Sequence, residues 1–123
     1  MFQNKKNKGD HNIAEEVVET VLIRLTEEKM IAGFLRSRHS DHWDAEGLDF
    51  LIFLESGVAI PLQVKTEIRQ YPHEKQYEKH IKKHPLVKFL VSIPIRFYSS
   101  EPERVYAKAR SLIEELISKA KPA

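Results

Sequence analysis

A chain of 123 residues has the length of a single domain, and its 41% of hydrophobic residues can fill one core. No apolar run reaches the ~20 residues that a bilayer span needs, and the start, Met1-Phe2-Gln3-Asn4-Lys5, lacks the apolar stretch of a secretory signal, so a cytoplasmic location without membrane attachment is expected. The absence of cysteine excludes disulfides, thiolate-bound zinc and iron–sulfur clusters, while a net charge of +2 leaves any nucleic-acid affinity to local clusters of lysine.

Residues 1–11 are polar and carry Lys5, Lys6 and Lys8, which predicts a flexible basic tail ahead of one domain over residues 12–123. Asn12 offers a helix N-cap, and Glu15 stands where a capping box would be completed. Ile13, Val17, Val18, Val21, Leu22 and Leu25 then recur at helical spacing, so an amphipathic helix to about Glu28 is expected. Met30 to Leu35 reads as a strand and Ser37 to Gly47 as a polar loop. Leu48 to Leu54 and Val58 to Val64 are apolar runs around Glu55-Ser56-Gly57, the pattern of a β-hairpin. Pro61 removes a ladder hydrogen bond from the second run and predicts a bulge or an unpaired side there.

Pro72 opens a second helix, polar and basic, with Tyr77 and Ile81 as its thin apolar face, and His84-Pro85 ends it. Val87 to Ile93 is a further buried strand. Ser100 and Glu103 form a second capping box with Pro102 in the first turn, opening a helix whose stripe is Val105, Ala109, Leu112, Ile113, Leu116 and Ile117. The order α-β-β-β-α-β-α predicts an α/β domain in which helices flank a mixed four-stranded sheet.

The hairpin carries the residues with chemistry. Ile60, Leu62 and Val64 point to one face of their strand, Gln63 and Lys65 to the other. The hairpin returns that strand end to Asp49, so a carboxylate, an amide and an ammonium meet at one edge of an apolar sheet. Buried polar groups are costly unless they are paired, and phosphodiester hydrolysis gives such a cluster a use: a carboxylate holds Mg²⁺, and a nearby lysine stabilises charge on phosphate.

Asp49-x13-Gln63-x-Lys65, on a hairpin within this element order, resembles the PD-(D/E)xK nuclease superfamily over residues 12 to 95. Archaeal Holliday-junction resolvases and Mrr-type restriction nucleases are the nearest in look. The resemblance implies a restriction-endonuclease-like core and a metal-dependent DNA endonuclease, selective for DNA structure in the resolvase manner. Mg²⁺ or Mn²⁺ would be its cofactor, with no small-molecule cofactor. It further implies Asp49 as chief metal ligand, Gln63 in place of the second acid, Val64 as a carbonyl ligand and Lys65 as the catalytic lysine. A first-helix acid would complete the set, Glu15 or Glu16, with Glu15 preferred because it lies at the edge of the apolar face. Such enzymes act on DNA as homodimers. Leu48 stands where the naming proline would be, and Gln63 removes one negative charge from the site.

Other features admit plainer readings. His39, His42, Asp44 and Glu46 read as a solvated loop sooner than a zinc site. Lys75, Lys79, Lys82 and Lys83 are either a solvated face or phosphate contacts whose grip weakens with salt. By the resemblance, Gln76 falls where several superfamily members use a polar residue near the site, and Trp43 and Tyr71 either stack on bases or close the core. Beside the nuclease stand two alternatives: a nucleic-acid-binding module that no longer cuts, and a small protein-interaction subunit.

Overall fold

Three amphipathic patterns and four short apolar runs need a common interior, and the chain gives them one. The computed structural model describes residues 2–37, 47–67, 73–85 and 87–120, with side chains from residue 13 onward except that of residue 73. Helix α1 spans Phe2–Glu27, β1 Gly33–Arg36, β2 Phe50–Phe53, β3 Ala59–Thr66, α2 His73–Lys83, β4 Phe89–Ile93 and α3 Pro102–Ala120, with a 3₁₀ turn at Ile95–Phe97 before α3. This is the expected α/β layout of a mixed four-stranded sheet flanked by helices.

The strands lie in chain order, β1-β2-β3-β4. β1 and β2, and β2 and β3, pair antiparallel as a meander, and β4 returns parallel to β3 after α2. Phe50, Ile52, Ile60, Leu62, Val64, Val91 and Ile93 face α1 and α3, which supply Val17, Val18, Leu22, Leu25, Val105, Ala109 and Ile113 to the same core. Ser92 alternates with the core residues Val91 and Ile93 and accordingly meets α2 on the opposite face, through Gln76.

Pro61 fits without a bulge. It pairs in register with Leu51, and β4 joins β3 only from Leu62 onward. The Val64 N–H points toward β2; strand alternation turns the nitrogen of Pro61, three residues earlier, toward the β4 side, where no partner yet stands.

Three local expectations are corrected. α1 starts at Phe2, so Asn12 lies inside the helix and not at its N-cap; a capping residue stops a helix only where the chain before it leaves helical geometry. Apolar packing of α1 still begins where the periodicity put it, at Ile13 and Ala14. For α3, Pro102 is the first helical residue, which puts Glu101 at the cap: the Val105 N–H donates to the Glu101 carbonyl at 3.4 Å, and Ser100 is left exposed. In α2 the buried residues are Gln76 and His80, while Tyr77 is 39% exposed.

α1 ends in a Schellman turn, the Met30 N–H donating to the Leu25 carbonyl at 2.9 Å and the Lys29 N–H to Thr26 at 3.0 Å. Lys29 takes the left-handed conformation there, φ 62°, a position where a β-carbon is penalised and glycine is not. Lys29→Gly is expected to stabilise the protein by about 0.5–1 kcal/mol, seen as a higher urea midpoint at unchanged m-value. A lower midpoint would contradict that account of the turn.

Candidate functional site

β2 stops at Phe50 while β3 runs on, so β3 has backbone donors that no strand receives. Asp49 meets one of them with its side chain: the Val64 N–H donates to Asp49 Oδ2 at 2.7 Å. The Gln63 amide donates to the same oxygen through Nε2 at 3.0 Å. Asp49 is also held by its backbone, its N–H donating to the Leu62 carbonyl and its own carbonyl accepting from Ser37, both at 2.9 Å. Asp49 is therefore 3% exposed, its carboxylate fixed to the end of the hairpin, as the alternation of β3 and the return of the hairpin required.

Gln63, 6% exposed, is satisfied at one end only. With Nε2 turned to Asp49, its Oε1 has no hydrogen-bond partner among the described residues, and an unmet buried acceptor costs roughly 1–3 kcal/mol. Oε1 points into a niche between Gly47 and the His84 ring. A β-carbon on Gly47 would lie 2.9 Å from Gln63 Oε1 and 2.5 Å from His84 Cγ, and Gly47 holds φ +80°. Only glycine lets these three segments approach.

Lys65 follows Gln63 on the same face and is exposed. In register with it, Ser92 donates to Gln76 Oε1 at 2.6 Å, and Gln76 Nε2 donates to the Thr66 carbonyl at 3.1 Å. Both ends of Gln76 are thus used to hold α2 on the sheet. His80, 4% exposed, bonds the Val87 carbonyl through Nε2 and leaves Nδ1 with no partner among the described residues. Burial pushes the His80 imidazole below its ordinary value near 6.5, against the Val87 hydrogen bond, with the His84 and Lys65 charges adding to the depression. Lys75, Lys79, Lys82 and Lys83 are all exposed on the same helix.

Of the two first-helix acids, Glu15 is the buried one, at 3%, and Glu16 is exposed. Glu15 does not stand alone: Arg36 bonds Glu15 at 3.3 Å, Glu16 at 3.2 Å and Glu19 at 3.1 Å. Arg36 is the register partner of Phe50, so this ion-pair cluster clamps α1 to the strand end beside Asp49. Asp49 meets Gln63 and Val64; Lys65 lies two residues on from Gln63 on the same strand face and is exposed; Glu15 bonds Arg36. His39, His42, Trp43, Asp44, Glu46 and Tyr71 lie outside the described residues.

Gly47, His84 and Arg36 were not singled out from the sequence. The four-residue spacing of His80 and His84 was a usable signal, since it puts both rings on one side of α2, where they stand 5.5 Å apart. Among the described residues no three His, Cys, Asp or Glu side chains form a metal-binding group, and no helix is long and apolar enough to cross a membrane. No protein-family model matches the chain, and neither the curated proteins nor the solved structures compared with it include a match.

Gly47→Ala is expected to destabilise the protein by roughly 1–3 kcal/mol through backbone strain, with the His84 ring resonances displaced. An unchanged urea midpoint would show that the niche is loose. For His80 the sign follows from its depressed value: below about 6.5 the unfolded chain binds the proton more readily than the folded one. His80 therefore contributes stability at neutral pH that is lost as pH falls through that region. Its ring-proton NMR titration in the folded protein should have a midpoint below 6.5; a higher one would contradict the burial argument.

Proposed function

We propose that this chain is a divalent-metal-dependent DNA endonuclease, using Mg²⁺ or Mn²⁺ and acting as a homodimer. The observation that carries the reading is the junction at the end of the hairpin. A buried carboxylate, Asp49, and an amide, Gln63, adjoin Lys65 at the rim of an apolar sheet, beside a helix with four exposed lysines. Carboxylate and amide oxygens are the hard donors such cations take, and Gln63 Oε1 is a buried acceptor still lacking a partner. The donor set suits the cation once the amide turns its oxygen toward Asp49, with the Val64 carbonyl as the backbone donor the resemblance adds.

Divalent-metal chemistry there supplies polarisation of the phosphate and a more acidic water. The residues supply the rest. Asp49 is anchored by the Val64 N–H and by its own backbone, so its carboxylate stays in place while the Gln63 amide turns. Lys65, exposed beside it, donates to the phosphate oxygens as their charge grows. Lys75, Lys79, Lys82 and Lys83 contact flanking phosphates and fix the register of the nucleic acid.

A second reading, a DNA-binding module that does not cut, has its own support. Asp49 Oδ2 already accepts two N–H bonds, a structural duty that requires no metal.

The experiment is cleavage of labelled linear, single-stranded and four-way-junction DNA with Mg²⁺ or Mn²⁺. Asp49→Asn retains an acceptor for the Val64 N–H and Lys65→Ala alters an exposed site, so both variants should fold. Each is expected to lower the cleavage rate by about 100-fold or more. Folded wild-type protein that binds DNA in a salt-sensitive way but never cuts it would favour the second reading.

A further inference from the structure

The sheet ends at β4. Among the described residues no strand lies beyond it, and Phe89–Ile93 pairs with β3 on one side only. The Glu67 N–H donates to the Ile93 carbonyl, so Ile93 turns its backbone groups toward β3. Alternation turns those of Leu90 the opposite way, and its N–H and carbonyl point to the open side. A strand edge of this kind is a template for another strand.

A groove of about 330 Å³ runs beside that edge, between α2 and α3. Tyr77, Leu90, Leu112 and Leu116 give it an apolar lining, and Tyr77 is 39% exposed. Its rim carries both signs of charge. Lys88 stands at the start of β4, and Glu115 and Lys119 stand on α3. Helical spacing puts Glu74 and Glu78 on the Tyr77 side of α2, away from the lysine side.

We propose that this edge is covered by a second copy of the chain, its β4 antiparallel to the first about a two-fold axis at Leu90. Each Leu90 N–H then donates to the Leu90 carbonyl of the other copy, and the two four-stranded sheets become one continuous sheet. The same register sets Lys88 opposite Ser92 of the second copy. Ser92 bonds Gln76 of its own α2, so Lys88 arrives beside that helix, where Glu74 and Glu78 stand. A rim of one sign would repel its own image, whereas a rim of both signs matches it under two-fold rotation. That selects a second copy over an unrelated strand. An axis perpendicular to the sheet keeps both α2 helices on one face, so the lysines of two copies face the same way. The inference rests on the homodimer of the reading above and names its surface; it requires nothing of the metal chemistry.

The test is the mass of the protein in solution, by sedimentation, together with a cross-link. The chain has no cysteine, and opposed residues of a hydrogen-bonded antiparallel pair have Cα atoms about 5.5 Å apart, within disulfide reach. Oxidised Leu90→Cys is therefore expected to form a covalent dimer, and Ser56→Cys, on the hairpin turn, is expected not to. Lys88→Glu alters an exposed residue and should weaken the dimer about five- to tenfold. Adding Glu74→Lys and Glu78→Lys to it should recover most of that loss. The Leu90 amide should exchange more slowly with solvent as protein concentration rises. Wild type that stays monomeric at millimolar concentration would leave the edge to a strand of another protein and overturn the inference. A dimer that Leu90→Cys does not cross-link and Lys88→Glu does not weaken uses another surface, which overturns it equally. Neither result touches DNA cleavage, which the experiment above decides by itself.

Discussion

The Val64 N–H must find an acceptor where β2 ends, and the Asp49 carboxylate is what it finds. Much of the candidate site follows from that bond. It draws Asp49 into the sheet edge and attracts the Gln63 amide nitrogen to the same oxygen. That sends the Gln63 oxygen toward Gly47, which must then lack a side chain. The His84 ring closes the niche, so the C-terminal end of α2 is positioned by a chain of contacts that starts at one backbone N–H. On the opposite face the Val64 side chain is fully buried in the core. A shift of the hairpin would therefore disturb both the apolar interior and the polar site.

The two glutamines differ in how fully their amides are satisfied. Gln76, 8% exposed, accepts from Ser92 at its oxygen and donates from its nitrogen to the Thr66 carbonyl. Gln63 is as deeply buried yet keeps an unmet oxygen. Charge is divided in a similar way. The acids Glu15, Glu16 and Glu19 converge on Arg36 and close α1 against the sheet, while the lysines of α2 remain exposed on the other side of the molecule. A modest net charge thus conceals an uneven surface.

The patterns that survived folding are those set by burial. The stripe of α1 from Val17 to Leu25, the apolar runs of the hairpin and the stripe of α3 all lie in one core, because removal of apolar surface from water dominates the choice of fold. The signals that failed were local: two polar caps and one thin apolar face. Asn12 and Ser100 are good caps by type, yet one is overridden by helix continuing before it and the other is displaced by Pro102, which fixes the first turn. Tyr77 and Ile81 were expected to seat α2; Gln76 and His80 do so instead, because the surface beneath them presents Ser92 and backbone carbonyls.

The sequence by itself determined the element order, the core, and the meeting of Asp49 and Gln63, since a two-residue period and a hairpin turn are enough to align side chains along adjacent strands. Only the tertiary structure decided which way the Gln63 amide turns, that Gly47 and His84 wall its oxygen, and that Arg36 claims Glu15. Those outcomes depend on contacts between segments far apart in the chain, and no local period encodes them.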